Sequence, residues 1–350
     1  MLTVVGHVRL NRPHVRCVGC GESSFPADAR LGLEGSASVG AVRLMCRAAT
    51  ARSFRAAAED LKEFCGLSVS VNTVRAVAQG EGRRLGAAPV DPSAGAAFAR
   101  AAGDVELEAD GTMVNTLSGW RELRLAALTR RPRGPSATPA QWDRRTLPAP
   151  SFRLAFGGIW SADRFGSSWR RTAGRLGVAD PTAVTVLADG AKWIWKQAAV
   201  KLPGAAGVLD VFHACQHLFE CADRIFGEGS ADGRRWARAR RRTLLKAGAA
   251  GLCAQLRSEL PAARSKRRRT ALTQLAAYLT PHAERTDYRR RLAQGRSIGS
   301  GLIEGTCKTM GKRLKQTGAR WRVRNVDAMT ALCCLACGGR WTDYWSARAG

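Results

Sequence analysis

The chain has 350 residues, long for one compact core, so roughly two or three domains are expected. Hydrophobic residues make up 45% of it, which excludes global disorder. The net charge of +28, from 56 basic and 28 acidic residues, favours an anionic partner over a merely basic soluble protein. No apolar run is long enough to span a bilayer, so nucleic acid suits this charge better than a membrane does.

Cysteine usage indicates a reducing compartment. Eleven cysteines in a chain of this length do not make a disulfide scaffold. Most lie in alanine- and leucine-rich stretches and resemble small buried apolar residues: Cys46, Cys65, Cys253, Cys333 and Cys334. No signal peptide is evident, so we expect a cytoplasmic protein at the bacterial nucleoid.

Residues 1–35 are predicted to be rich in strands and turns. Cys17 and Cys20 form a CxxC knuckle, which is half of a tetrahedral Zn²⁺ site. A second CxxC is missing, although His7 and His14 are candidate ligands. The knuckle is therefore either a structural zinc site or a purely structural turn.

Residues 36–95 are predicted to be a helical region with a linker. Helices are expected at about 42–51, 53–65 and 71–85, and a linker at 86–99. A helix, a short glycine turn and a second helix outline a helix-turn-helix unit. Many helical hairpins share this outline, so a DNA-contacting unit and a plain hairpin both remain open.

From residue 104 the pattern changes to strands. Three strands are followed by a helix, a strand predicted to be fully buried and parallel, a second helix and another buried strand. The expected ranges are 104–110, 121–128, 152–160, 163–176, 184–188, 191–202 and 207–211. This order is typical of a ribonuclease H-like mixed α/β sheet. We expect that catalytic domain to comprise residues 100–212 and 296–350.

Residues 213–295 are predicted to be a basic, all-helical insertion. Between residues 234 and 298 there are 18 basic residues and three acidic ones. Such runs repel unless an anion neutralises them, so a phosphate-tracking surface is favoured over a solvated face. The candidate DNA-binding residues are Arg238, Arg240, Arg241, Arg242, Lys266, Arg267, Arg268 and Arg269.

Three carboxylates are the candidate catalytic residues. Asp110 and Asp189 each end an apolar run and precede glycine, which predicts a place at a strand tip. Glu304 lies in the first turn of a later helix. If the first and fourth strands are parallel neighbours, the three acids meet and repel unless divalent cations lie between them. Two Mg²⁺ or Mn²⁺ ions suit such oxygen ligands; the alternative is isolated turn residues.

The motifs around these acids resemble the DDE transposases of bacterial insertion sequences. The closest group is the ISKra type, allied to the Mutator-like superfamily. The resemblance covers most of the chain and depends on the segments at residues 110–114, 119–122, 187–195, 209–218, 299–304 and 317–321.

The resemblance implies a ribonuclease H-like domain with a helical insertion, and Asp110, Asp189 and Glu304 as its metal-binding triad. It also implies cleavage at element ends and strand transfer into target DNA, by a homodimer or larger assembly. Family members usually carry more sequence before the knuckle, so we expect a truncated or misassigned amino terminus.

Several further residues have open interpretations. His213 and His217 share a helix face and could assist the acids, support the fold, or bind zinc with Cys215. Asp210 is either a fourth acid or a hydrogen-bonded structural carboxylate within a buried strand. Other DNA-binding candidates are Lys308, Lys312, Arg320 and Trp321, where the indole is either a stacking surface or ordinary core.

The sequence therefore predicts a metal-dependent DNA transposase. Two rivals remain, a nuclease of the same fold that does not join DNA, and an inactive DNA-binding remnant.

Overall fold

Short strands make up the beginning of the chain, as its pattern predicts. The computed structural model of the protein describes residues 1–31, 33–34, 36–87 and 92–349. Its first elements are β1 (Leu2–Thr3), β2 (Gly6–His7), β3 (Val15–Arg16), β4 (Ser23–Ser24), α1 (Pro26–Arg30), β5 (Leu33–Glu34) and β6 (Ala37–Ser38). Strands β3 and β4 form an antiparallel hairpin whose loop holds Cys17 and Cys20.

Four helices come next, and the first three confirm the prediction for this region. They are α2 (Val39–Ala51), α3 (Phe54–Cys65), α4 (Val71–Ala87) and α5 (Pro92–Arg100). The Ser53 hydroxyl accepts a hydrogen bond from the Ala56 N–H at 3.1 Å and so caps α3. Gly66 ends the same helix with φ of 63°, a conformation that favours glycine.

The predicted linker at residues 86–99 is wrong over most of its length. Helix α4 extends into its start and α5 occupies its second half, while residues 88–91 lie outside the described part of the chain. Pro92 is the first residue of α5, a position where its missing N–H is not needed. Phe98 is buried and packs edge-on against Phe152, with ring centroids 5.2 Å apart.

A five-stranded mixed sheet forms the centre of an α/β fold. Its elements are β7 (Asp104–Thr116), β8 (Gly119–Arg131), β9 (Phe152–Gly158), α6 (Ala162–Arg175), a 3₁₀ turn (Pro181–Ala183), β10 (Val184–Ala188), α7 (Lys192–Lys201) and β11 (Ala206–Leu209). The strand order is β11-β10-β7-β8-β9. Strand β8 is antiparallel to both of its neighbours, β7 and β9, whereas β10 is parallel to both β7 and β11.

Strand β7 is longer than its sequence predicts, and this moves Asp110 away from a strand tip. The strand continues six residues past Asp110 to Thr116 and pairs with β8 throughout. Val114 and Thr116 are fully buried on the face that also carries Glu108 and Asp110, so the packing of the strand continues beyond the Asp-Gly pair. That pair is a frequent turn signal, but here a long partner strand overrides it.

Residues 211–293 are helical, as predicted for the insertion. The elements are α8 (Val211–Phe226), α9 (Ala231–Glu259), α10 (Lys266–Leu279), a 3₁₀ segment (Thr280–Arg285) and α11 (Tyr288–Ala293). Helix α9 is interrupted at Gly248, where φ is 65° and ψ is −172°. The insertion has a hydrophobic core of its own, built on Leu218, Leu245 and Leu272, which extends to Leu209 of β11.

The last three helices pack together with the early ones. They are α12 (Gly301–Leu314), α13 (Val323–Cys337) and α14 (Trp341–Ala349). Met45 of α2, Val74 of α4, Met310 of α12 and Met329 of α13 belong to one continuous core. The helical region that the sequence presents as separate is therefore joined to the carboxyl-terminal helices by shared burial.

Membrane-spanning character is missing from the helices of the described residues. None of them combines the length and the apolar composition that crossing a bilayer requires.

Candidate carboxylate site

Asp110 and Asp189 meet because β7 and β10 are parallel neighbours. The register aligns Ala109 with Ala188, so Asp110 within β7 and Asp189 directly after β10 are the next residues along these neighbouring segments. Burial raises the pKa of Asp110, and the negative charge of Asp189 raises it further. Hydrogen bonds from the Gly111 N–H and the Cys307 thiol act in the opposite direction. The pair is thus a partly desolvated cluster of like charge.

Local backbone contacts hold both aspartates in place. The Asp110 Oδ1 accepts a hydrogen bond from the Gly111 N–H at 2.6 Å. The Asp189 Oδ1 accepts one from the Ala191 N–H at 2.9 Å. The Trp195 indole donates to the Asp189 carbonyl at 2.8 Å, which ties the turn after β10 to helix α7.

Glu304 lies on the helix that packs against β7, but its carboxylate is turned to another partner. Its Oε1 is 2.8 Å from the Lys308 Nζ, and its side chain is 47% exposed. Cys307, one turn later on α12, contacts Asp110 through its thiol. Among the described residues, no three His, Cys, Asp or Glu side chains are arranged to hold a metal ion. The structure therefore brings Asp110 and Asp189 together and leaves Glu304 beside them, paired with Lys308.

Two carboxylates, those of Glu108 and Asp210, position helix α12; the sequence analysis assigned no role to Glu108 and left the role of Asp210 open. Glu108 is 1% exposed, and its Oε2 accepts a hydrogen bond from the Ile303 N–H at 2.9 Å. The Asp210 Oδ2 accepts hydrogen bonds from the Ser300 N–H at 2.5 Å and the Ser300 hydroxyl at 2.8 Å. Since the first N–H groups of a helix have no partner within it, these acids satisfy donors that would otherwise be unpaired.

A signal for Glu108 was present in the sequence. Glu106, Glu108 and Asp110 alternate with apolar residues, so they share one face of β7. Arg131 lies against that face, with its Nε 2.8 Å from the Glu106 Oε2 and its Nη2 3.6 Å from the Glu108 Oε1. Burial raises the pKa of Glu108 to about 7. Acids along one face of an otherwise apolar strand predict buried charged partners.

Asp210 confirms the interpretation as a hydrogen-bonded structural carboxylate, at a slightly different place. It follows β11 instead of lying within the strand, and its Oδ1 accepts from the His213 N–H at 2.8 Å at the start of α8. Although burial raises the pKa of Asp210, hydrogen bonds from His213 and Ser300 lower it overall.

His213 lies next to the aspartates. Its Nδ1 is 3.4 Å from the Asp210 Oδ1, and that carboxylate raises the pKa of His213. The charges of Asp189 and Asp110 raise it further. The His213 imidazole therefore lies at the rim of the acidic pair, where the surrounding carboxylates favour its protonated form.

His217 and Cys215 do not join His213 in a zinc site. The His217 ring packs on Tyr278, with centroids 3.8 Å apart, and burial lowers the pKa of this histidine. Cys215 is buried in the core of the insertion, where desolvation raises the pKa of its thiol to about 12. A thiol of that kind is inert toward metals.

Tyr278 of helix α10 also lies close to Asp189, and the sequence analysis did not identify it. Its hydroxyl is buried and has no hydrogen-bond partner within the described structure. A Cβ added at Gly190, next to Asp189, would lie 2.9 Å from that oxygen. Burial, together with the charges of Asp189 and Asp210, raises the pKa of Tyr278, so the phenol keeps its proton. Single-sequence patterns carry no signal for such a contact across the insertion.

The basic residues predicted to bind DNA have unequal surroundings. Arg238 and Arg242 are exposed on α9. The Arg240 Nε is 3.1 Å from the Glu259 Oε1, and Arg241 lies over the Trp142 ring at 5.4 Å. Only the first two of the four are thus open to a phosphate.

The second basic run and the later cations are similarly divided. Lys266 is exposed, Arg268 is half-buried, Arg267 donates to the Arg224 carbonyl, and the Arg269 Nη1 donates to the Ala263 carbonyl at 3.2 Å. Lys308 is the partner of Glu304, while Lys312 and Arg320 are exposed.

Trp321 corrects one expectation. It is buried in the core, its indole N–H donates to the Leu314 carbonyl at 3.0 Å, and its ring packs against Phe54. The indole is consequently not free to stack on a base, and its alternative role as ordinary core is the one observed.

Cys17 and Cys20 are exposed free cysteines in one turn. Hydrogen bonds from Cys20, its backbone N–H first, lower the pKa of the Cys17 thiol. The His14 ring packs on Phe25 with centroids 5.0 Å apart. Zinc binding there stays a prediction, because within the described residues no third ligand joins the two thiols.

The donor set of the acidic pair suits a hard divalent cation. Both side chains supply carboxylate oxygens, the ligands that Mg²⁺ prefers. The raised pKa of Asp110 shows that negative charge is disfavoured there without a counter-ion. In comparisons with known proteins, no family model matches the chain, and no curated protein matches it.

Proposed function

We propose that the chain is a DDE-type DNA transposase of the ISKra type, in which Asp110, Asp189 and Glu304 act on phosphodiester bonds. The single observation that carries the proposal is the parallel pairing of β7 and β10, which makes the two aspartates neighbours. Their surroundings support it, since the net charge of +28 suits a polyanionic substrate held around an acidic centre.

The proposed ribonuclease H-like assignment for the catalytic domain is supported by the sheet. Three antiparallel strands followed by two parallel ones, in the order β11-β10-β7-β8-β9, match the arrangement expected for that fold. Helix α12 packs against β7 and brings the third acid to the same face as Asp110.

Asp110, Asp189 and Glu304 would hold the divalent cations. When bound, a pair of such ions can activate an attacking hydroxyl and stabilise a leaving oxygen in phosphoryl transfer. Glu304 would exchange Lys308 for the metal, and this requires little free energy, because an exposed ion pair contributes only about 0–1 kcal/mol. Lys308 would then be released toward the substrate phosphate.

The other residues of the site would orient helix α12 and offset the negative charge of the acidic pair. Glu108 and Asp210 accept hydrogen bonds from the first turn of α12 and so fix the position of Glu304 on that helix. His213 would place its imidazole, whose pKa Asp210 raises, at the rim of the acidic pair, and Tyr278 would present its hydroxyl beside Asp189. The proposal includes a homodimer or larger assembly on DNA, at the bacterial nucleoid.

A strand-transfer assay with a 3′-end-labelled duplex carrying the ends of the element tests the proposal. Joined products that require Mg²⁺ or Mn²⁺ and vanish in Asp189→Asn are expected. Cut products without joining would replace the proposal with a nuclease, and binding without cleavage would replace it with an inactive remnant. Arg170→Gln is the matched control variant, since Arg170 is exposed on α6, a helix whose buried side belongs to a different core from that of α12.

A further inference from the structure

A large basic groove lies between the early helices and the segment that follows α12. Its volume is about 1120 Å³, above the usual range of roughly 300–1000 Å³ for small-molecule sites. One side is formed by α3 and α4, and the other by residues 316–325. Six guanidinium groups line it, those of Arg75, Arg83, Arg313, Arg320, Arg322 and Arg324.

Within the described residues, these arginines have no counter-ions. The described lining of the groove contains neither aspartate nor glutamate. Across the ranges that the structure describes, no carboxylate lies within ion-pair distance of any of the six. Six like charges around one groove repel one another, so the free protein carries an unfavourable field that a polyanion would remove.

Arg313 differs from the other five arginines because it is buried, although it lines the groove. It is 2% exposed, and its Nε donates to the Ala49 carbonyl at 2.5 Å. Its guanidinium lies 4.5 Å over the Phe54 ring and 5.2 Å over the Trp321 ring. Its Nη2 is buried without a hydrogen-bond partner in the described structure. A buried, uncompensated charge of this kind is costly unless a ligand pairs with it.

Both walls of the groove are held by the shared core. Helix α4 approaches α13 so closely that a Cβ at Gly82 would lie 2.0 Å from the Ala328 carbonyl oxygen. The Leu117 N–H donates to the Trp321 carbonyl at 2.8 Å, which fastens the opposite wall to the β7–β8 hairpin. Because these contacts exist without a ligand, little ordering is needed on binding.

We propose that this groove binds the sugar-phosphate backbone of DNA, at a place distinct from the carboxylate site. Guanidinium groups form paired hydrogen bonds with phosphate oxygens, and their spread along both walls matches a chain of phosphates better than a single anion. Amide side chains from Asn72, Gln316 and Asn325 add donors of the type that commonly contact phosphate and sugar. The inference takes only its choice of DNA from the proposed function.

Salt-dependent binding tests the inference on the full chain. Each phosphate contact contributes about −0.9 to the slope of log affinity against log salt concentration. The triple variant Arg75→Gln, Arg83→Gln, Arg324→Gln should therefore weaken binding of a fluorescein-labelled duplex and flatten the slope by about 2–3. The assay uses an Asp189→Asn parent in EDTA, so a failure of catalysis cannot be mistaken for a failure of binding.

The matched control removes the same charge from a different surface. Arg170, Arg171 and Arg175 are exposed on α6, which packs on the opposite face of the sheet from α12. Their triple glutamine variant should keep the parental slope. Thermal unfolding of both triple variants at the parental temperature shows that the fold is retained, because all six substituted side chains are exposed.

An unchanged slope in the groove variant, or an equal flattening in both variants, would overturn the inference. So would competition by polyglutamate as strong as that by DNA of equal charge, since the groove would then bind anionic peptides as well.

Discussion

Glu108 accepts a hydrogen bond from the backbone N–H of Ile303 at 2.9 Å, joining the central strand to the start of a helix 195 residues later. The contact is buried and lies two residues before Asp110 and one residue before Glu304 on the two elements that carry the acids. The relative position of those two elements thus depends in part on the Glu108 carboxylate.

Removal of this acceptor should destabilise the protein. Glu108→Ala leaves the Ile303 N–H unpaired and opens a cavity, so the free energy of unfolding should fall by about 2–3 kcal/mol. Glu108→Gln keeps a carbonyl oxygen and should stay within about 1 kcal/mol of wild type. Urea unfolding at pH 7 measures both. Equal losses in the two variants would show that the hydrogen bond does not hold the helix.

Asp210 also holds the start of helix α12, and its negative charge should affect the pKa of His213. Because Asp210 is the main cause of the raised pKa of His213, Asp210→Asn should lower that pKa. The change is followed by NMR titration of the imidazole protons. His217 is the internal control, and its pKa should change less than that of His213. Its Nδ1 lies 3.4 Å from the Glu220 Oε2. A His213 titration that is unaltered in the variant would contradict the ion pair.

His282 predicts a loss of stability in acid. Burial lowers its pKa to about 4, from 6.5 in the unfolded chain, so the unfolded state binds the extra proton between these values. Stability is complete above pH 6.5 and falls as the pH decreases toward 4, by about 3 kcal/mol in total.

His282→Asn removes this titration. The difference in unfolding free energy between wild type and variant should therefore move in favour of the variant when urea melts at pH 7 and pH 4.5 are compared. His14→Asn, at an exposed position, is the control. A constant difference between the two pH values would refute the assignment.

Tyr278→Phe separates stability from function. The hydroxyl has no partner within the described structure, so its loss should not lower the free energy of unfolding. If the hydroxyl serves the substrate beside Asp189, strand transfer should slow by roughly tenfold, about 1.4 kcal/mol in activation free energy. A destabilised variant would mean that the fold uses the hydroxyl, and an unchanged rate would remove it from the site.

Strand types and order could be predicted from the sequence because the apolar patterns are strong. The mostly apolar, fully buried run at Val184–Ala188 forms an interior parallel strand, and Asp110 and Asp189, which follow the paired Ala109 and Ala188, are neighbours as expected. Strand ends were less predictable. Asp110-Gly111 has the chemistry of a turn, yet the paired length of β8 keeps it within a strand.

The parts of the site that escaped prediction depend on long-range contacts. Glu108, Tyr278 and Arg313 acquire their surroundings from elements distant in sequence, and no local period encodes those partners. The sequence pattern likewise did not indicate that the Glu304 carboxylate would pair with Lys308, four residues later on the same helix. The flanking residues Arg320 and Arg322 favour an exposed position for Trp321, although its ring is buried in the core.

The central claim is that Asp110, Asp189 and Glu304 together hold divalent cations, and Mn²⁺ binding followed by electron paramagnetic resonance tests it most directly. Wild type should bind Mn²⁺, Asp110→Asn and Asp189→Asn should each lose it, and Glu304→Gln should weaken it, while Glu220→Gln should bind as wild type does. Binding that persists unchanged in the Asp110 and Asp189 variants would contradict the account.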